Sequence, residues 1–298
     1  MIASTTSHAV SDPRRPAATG PADTSSQDAV RLMNAPAGIS RDTALRSAAV
    51  LWFAVTVIGQ WVFLYYVVAF YGASTLSGDF QAWNANPMLR GGYVAGDFFG
   101  NLAFASHVLL AAVITFGGML QLVPQIRARA ISVHRWNGRL FLLAAIAAAV
   151  TGLQMVWIRG TGDSVVSSIS ITLNAALILI FAGLAWRAVL RRDMASHRHW
   201  ALRTFMVANG VFFLRIGFTA WMVLNQGQLS DTAFHVFEFA SYLLPLAVLE
   251  LYLHAKGSGS SRLRLTAAGV LLASTAYMSL GVFAFYMFVT QHVLGAVS

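Results

Sequence analysis

Seven apolar runs, each long enough to cross a lipid bilayer, constrain this chain more than any other feature. They cover roughly 45–71, 98–123, 138–158, 165–190, 200–224, 233–254 and 264–290. A helix needs about 20 apolar residues to span the hydrocarbon. Strands of alternating polarity about ten residues long, which would mark a membrane barrel, are absent from the sequence. Charged residues make up 10% of the 298, too few to cover a globular surface; soluble domains carry about 25%. The fold class expected is therefore an all-α integral membrane protein, a bundle of about seven transmembrane helices over 41–298.

Residues 1–40 are rich in Ala, Ser, Thr, Pro and Asp. They cannot bury enough apolar surface to offset the entropy of ordering, so a disordered cytoplasmic tail is expected. No short apolar core follows a basic start, so they are not read as a signal peptide. Orientation follows from Lys and Arg. Seventeen fall on the side of the N-terminus and the even-numbered turns, among them Arg14, Arg31, Arg127, Arg139, Arg187, Arg203 and Lys256. Only Arg90 and Arg159 fall opposite. The positive-inside bias then places the N-terminus in the cytoplasm and the C-terminus outside. The same bias accounts for the net charge of +9 without nucleic acid. In the outer connection 72–97, Trp83, Tyr93 and Phe98 are expected in an interfacial aromatic belt.

An ionisable side chain inside a span needs a partner or a water-filled cavity. His107, Arg215, His235, Glu238 and Glu250 qualify. Helix depth puts the first four in the outer half. His235 and Glu238 are three apart and share a face, which makes Glu238 the expected counter-charge of Arg215. In the inner half, Gln121 lies nearly four turns beyond His107, with Ala111 and Gly118 between them on the same face. His197 and Arg215 are five turns apart on the fifth segment, joined by the small stripe Ala201, Thr204 and Ala208. Ser196 is placed to cap this helix, and its start, with His197 and Arg203, offers a site for an anion such as a lipid phosphate. Glu250 and His254 are expected to pair with Arg139 or Arg203. Pro245 is the first candidate for a kink, and Gly117-Gly118 the second.

Three blocks stand out in order along the chain. The first is His107, Gly118, Gln121, Pro124 and Arg127. The second is His134, Arg135, Gly138 and Arg139. The third is His197, Arg198, Trp200, Arg203, Leu214 and Arg215. With Glu250, they resemble a family of bacterial membrane proteins known as domain of unknown function 2306, over roughly residues 100–255. The resemblance implies a multi-pass protein of the bacterial inner (plasma) membrane and supports this residue set. It carries no activity. The chain departs from the family at Ala201, Phe141 and Phe205, where Met and Tyr are common.

Three function classes remain open. One is a non-catalytic assembly, sensing or lipid-interacting protein whose polar residues hold helices, anionic lipid or a small-molecule ligand. A second is electron transfer, quinone-linked or through haem b. Two neutral imidazoles can ligate a haem, with candidates His107 and His235 outside and His134, His197, His199 and His254 inside, and Arg139 and Arg203 for propionates. A third is a proton-coupled small-solute transporter using Arg215, Glu238 and His107. With no cysteine, c-type haem and thiolate metal sites are excluded. No Walker loop, nucleophile elbow or His-Glu-x-x-His zinc motif is present. The functional centre is expected among the second, third, fifth and sixth helices, with the first and seventh peripheral.

Overall fold

A computed structural model describes residues 41–86 and 92–291. The tail expected over 1–40 lies outside the described residues, as do Pro87, Arg90 and Gly91. The described residues contain no strand. The elements are α1 (Arg41–Val67), a π-turn (Val68–Gly72), α2 (Ala73–Ser77) and a 3₁₀ turn (Phe80–Ala85). They continue with α3 (Phe98–Leu122), α4 (Pro124–Arg129), α5 (Ile131–Trp157), α6 (Val165–Leu190), α7 (Met194–Ala208), α8 (Gly210–Leu224), α9 (Asp231–Gly257) and α10 (Ser261–Val289). Six of these spans are long and apolar enough to cross a membrane, α1 running on through α2; the pair α7–α8 makes a seventh, bent by 51°.

Helix starts are set by short polar side chains that accept from backbone N–H groups two or three residues on. Asp97 accepts from Gly100, Ser164 from Ser167, Ser230 from Ala233 and Ser260 from Leu263. α5 begins at Ile131, seven residues before the apolar run, so His134, Arg135 and Arg139 are helical. α9 runs unbroken through Pro245 and α3 through Gly117-Gly118.

The fifth span is the departure from expectation. It breaks between Ala208 and Gly210. Its middle is nevertheless the most enclosed part of the bundle: Phe205, Val207, Asn209, Phe212 and Ile216 are all 3% exposed or less. All six other spans reach it or its neighbours. Gln60 of α1 binds Asn209. Phe205 and α5's Phe141 meet over Gly118 of α3. Asn174 of α6 faces Gly210. Glu250 of α9 binds Arg203, and Thr219 donates to Gly281 O of α10 at 3.0 Å. The first and seventh spans are therefore not peripheral, as the sequence suggested. Hydrophobicity alone made them look so, because their buried polar groups are uncharged.

Trp83 also departs from expectation. It is 3% exposed, packed on Phe104 at 5.2 Å rather than facing the interface. The 3₁₀ turn folds it back over the ends of α1 and α3. Phe98, in contrast, is exposed.

Close contact between α8 and α10 depends on Gly281, where an added Cβ would fall 2.1 Å from Ile216 O. Gly281→Ala is expected to destabilise the bundle by about 1–3 kcal/mol. Gly269→Ala, whose Cβ would meet open space, stays within about 0.5 kcal/mol. SDS-unfolding midpoints of the two variants measure the difference.

Candidate functional site

At the arginine-rich end, α7 starts earlier than expected. Asp193, not Ser196, is the cap: its carboxylate accepts from Ser196 N at 3.0 Å. Hydrogen bonds from Ser196, the hydroxyl first and the backbone N–H second, hold the Asp193 carboxyl below its ordinary range. His197 sits one turn in, its Nδ1 3.0 Å from Ala185 O of α6. Two turns further, Arg203 forks onto Glu250 with Nε–Oε1 2.6 Å and Nη2–Oε2 2.8 Å. Its guanidinium lies 4.7 Å from the Trp200 ring centroid. Of the two arginines expected for Glu250, the structure selects Arg203. Arg139 is exposed and stacks on Trp136 instead. His199 and His254 are exposed.

Gln121 donates to His134 O at 2.9 Å, and Asn137 to Gly117 O at 2.8 Å. These two bonds clamp α3 to α5 and explain the small residues there. His134 lies within electrostatic reach of His197 and Arg127, and its Nδ1 is buried with no hydrogen-bond partner.

At the middle of the membrane domain stands Asn209. Its Oδ1 accepts from Gln60 Nε2 at 2.9 Å and its Nδ2 donates to Phe205 O at 2.8 Å. Gln60 is wholly buried. Gly210 lets Asn174 come close: an added Cβ would fall 3.1 Å from Asn174 Nδ2. Two acceptors around the break, Gln60 Oε1 and Asn174 Oδ1, are buried with no hydrogen-bond partner.

At the opposite end, the expected Arg215–Glu238 pair is not formed. Glu238 Oε2 accepts from Ser167 Oγ of α6 at 2.9 Å and lies 2.8 Å from His235 Nδ1. Arg215 is instead within electrostatic reach of Tyr66 and Tyr71 on the first span. Glu238 faces α6 through Ser167, whereas Arg215 faces the first span. His107 has its Nδ1 3.1 Å from Thr151 Oγ1. That hydroxyl already donates to Ala147 O, so the imidazole is the donor. His107 on α3 and His235 on α9 thus face different neighbours. Arg159, expected only as a loop charge, is 6% exposed. It pairs with Asp97 at 3.0 Å and donates to Gly92 O and Asn101 Oδ1, tying the connection before α3 to α3 itself.

The residues that a search for ionisable groups misses are Gln60, Asn174, Asn209, Tyr66, Tyr71 and Asn86. Each is an uncharged polar group, five of them inside an apolar run. Asn209-Gly210 carried a legible signal, since Asn-Gly is a turn dipeptide.

This is a polytopic helical membrane protein with polar side chains at three levels of one central, broken span. Residues 104–253 match the family model described as "Predicted membrane protein (DUF2306)", and the chain belongs to that family. No curated protein and no solved structure matches it.

Because Glu238 and Arg215 occupy separate networks, Arg215→Gln and Glu238→Gln are expected to add within about 0.5 kcal/mol in unfolding free energy. Glu238→Gln combined with Ser167→Ala is expected to fall short of additivity by more than that. Double-mutant cycles distinguish the two. Asp193→Ala is expected to speed amide exchange over 194–197. The wild-type cap acts above the ordinary Asp range and is lost as pH falls through its depressed value, so the variant's excess exchange disappears in acid.

Proposed function

We propose that this protein is a proton-coupled carrier of a small polar solute, with the broken span as its moving element. The observation that carries this reading is the break at Asn209, enclosed mid-bundle and lined by buried amide oxygens with no hydrogen-bond partner. Unwound backbone at membrane depth is tolerated only where it is enclosed by protein or lines a water-filled cavity. In carriers such breaks form the substrate and ion sites.

Three polar stations on that span support the reading. Arg203, Asn209 and Arg215 are six residues apart, a rise of roughly 9 Å per step. Each is met by polar groups from another helix: Glu250, Gln60, and the Tyr66–Tyr71 pair. Glu238, with His235 and Ser167, supplies a buried titratable group beside this path. A purely structural use of the same residues leaves the open oxygens of Gln60 and Asn174 unexplained. A haem shared by His107 and His235 would require both to abandon Thr151 and Glu238. The natural setting proposed is the bacterial inner membrane, N-terminus in the cytoplasm, on the distribution of Lys and Arg.

Purified protein in liposomes, recorded on a solid-supported membrane, tests the proposal. Panels of amino acids, short carboxylates and sugars are applied at several values between pH 5 and 8. A solute-dependent current is expected, reduced at least tenfold in Glu238→Gln and in Gly210→Leu. Absence of any solute-driven or proton-driven current across that range sinks the carrier reading.

A further inference from the structure

A cavity between four helices stands apart from the networks described above. It has a volume of about 200 Å³ and lies among α1, α8, α9 and α10. Two of those helices fix its depth. Leu244 is the central residue of α9, and Ser274 stands one residue before the centre of α10. The cavity is therefore near mid-membrane, out of reach of a phospholipid headgroup. Trp52, Phe213, Ile216 and Met278 form a buried floor. Leu244, 61% exposed, stands on the rim, so a ligand enters from lipid.

Size and walls set the first limit on an occupant. An apolar cavity of about 150 Å³ binds benzene, so this one takes one substituted ring. Each of the four helices contributes an aromatic side chain to the wall: Trp52, Phe213, Phe237 and Tyr277. Trp52 and Phe213 already stack at 6.2 Å. Aromatic rings favour such offset or edge-on contact with another ring. The small residues Gly217 and Ala240 leave the room for it.

Polar groups set the second limit. Three hydroxyl side chains line the cavity, and each has given its hydrogen to a backbone carbonyl. Tyr277 donates to Gly217 O at 2.7 Å, Ser241 to Glu238 O at 2.8 Å and Ser274 to Val270 O at 2.7 Å. Toward a ligand all three can act only as acceptors. Pro245 leaves a fourth acceptor, because it has no N–H to return to Ser241 O. The Trp52 indole is the one side-chain N–H on the lining. An acyl chain offers these groups nothing. A ring with a free hydroxyl gives a hydrogen and keeps an oxygen that can accept one.

We propose that this cavity binds a membrane-soluble phenol or hydroquinone, a single aromatic ring with a free hydroxyl, and that Tyr277 Oη accepts its hydrogen. Tyr277 carries its oxygen across from α10 to α8, whereas the serine oxygens stay on their own helices. The ring lies among the four aromatic side chains, and any tail leaves past Leu244 into lipid. The site is separate from the amides at Asn209, and binding stands whether or not the protein moves a solute.

The test uses full-length protein in nanodiscs, titrated with 4-fluorophenol and with 4-fluorotoluene. The second probe matches the first in shape but has a methyl group in place of the hydroxyl. The ¹⁹F line shape reports bound ligand, and protein-free discs give the concentration of each probe in lipid. Referred to that concentration, 4-fluorophenol is expected to saturate and to bind about fivefold tighter than 4-fluorotoluene, the worth of one net hydrogen bond. Tyr277→Phe, which keeps the ring, is expected to weaken 4-fluorophenol by about the same factor and to leave 4-fluorotoluene unchanged. Gly217→Leu, whose side chain fills the cavity, is expected to abolish both. Should Gly217→Leu not fold, as judged by helicity and gel filtration, Tyr277→Phe decides alone. Equal affinity for the two probes overturns the proposal and makes the cavity a slot for hydrocarbon chains. So does phenol binding that is absent in the wild type, unchanged in Tyr277→Phe or retained in folded Gly217→Leu.

Discussion

A helix interrupted inside hydrocarbon must have its freed backbone groups satisfied by something other than water. At Asn209 the backbone N–H still donates to Phe205 O at 3.2 Å, and the side-chain amide donates to the same oxygen at 2.8 Å. Its own oxygen is satisfied from a distance by Gln60 of α1. This side-chain bond ties the first span, which packs chiefly on α10, to the broken one. The neighbouring Gly210 allows Asn174 to approach and so fixes α6 on another side. A bent span whose polar groups are answered from two helices is thus the element that the bundle is built around.

Two charged residues expected to pair lie in separate networks. Arg215 lies within electrostatic reach of Tyr66 and Tyr71, and Glu238 is held by Ser167 and His235. Two networks result where one was expected. At the arginine-rich end the Arg203–Glu250 fork is partly exposed, the Glu250 side chain by 45%. An exposed pair of this kind contributes about 1 kcal/mol at most. Its value is positional, since a bidentate fork fixes orientation as well as distance.

How far the sequence discloses this architecture depends on the range of the interactions involved. The spans are legible because hydropathy is a local property, and the helix starts nearly so because caps act over three residues. Asp193 was missed in favour of Ser196 because both are good caps, and only the true helix start distinguishes them. The break was hidden for a different reason. Asn-Gly within an apolar run is a turn signal set against strong helical periodicity, and its outcome depends on Gln60, 149 residues away. Pro245 misled in the opposite direction, since α9 absorbs it without interruption. The ionisable residues were findable by their cost in hydrocarbon. The amides and tyrosines were not, because one amide among apolar neighbours barely alters a hydropathy window.

The bonds that hold the two halves of the broken span indicate what a rearrangement at Asn209 would move. α7 is fixed to α9 by Arg203 and Glu250, and to α6 by His197 and Ala185 O. α8 is fixed to α10 by Thr219 on Gly281 O and by Tyr277 on Gly217 O at 2.7 Å. The hydrogen bonds of the two halves run to different helices, but α9 packs on both: Trp221 of α8 lies 5.5 Å from Phe237 of α9, and Gly210 faces Tyr242. The polar groups at that junction are Gln60, Asn209 and Asn174, all uncharged amides that can exchange one hydrogen bond for another. These amides lie halfway along the central span, with Arg203 and Glu250 on one side of them and Arg215 on the other.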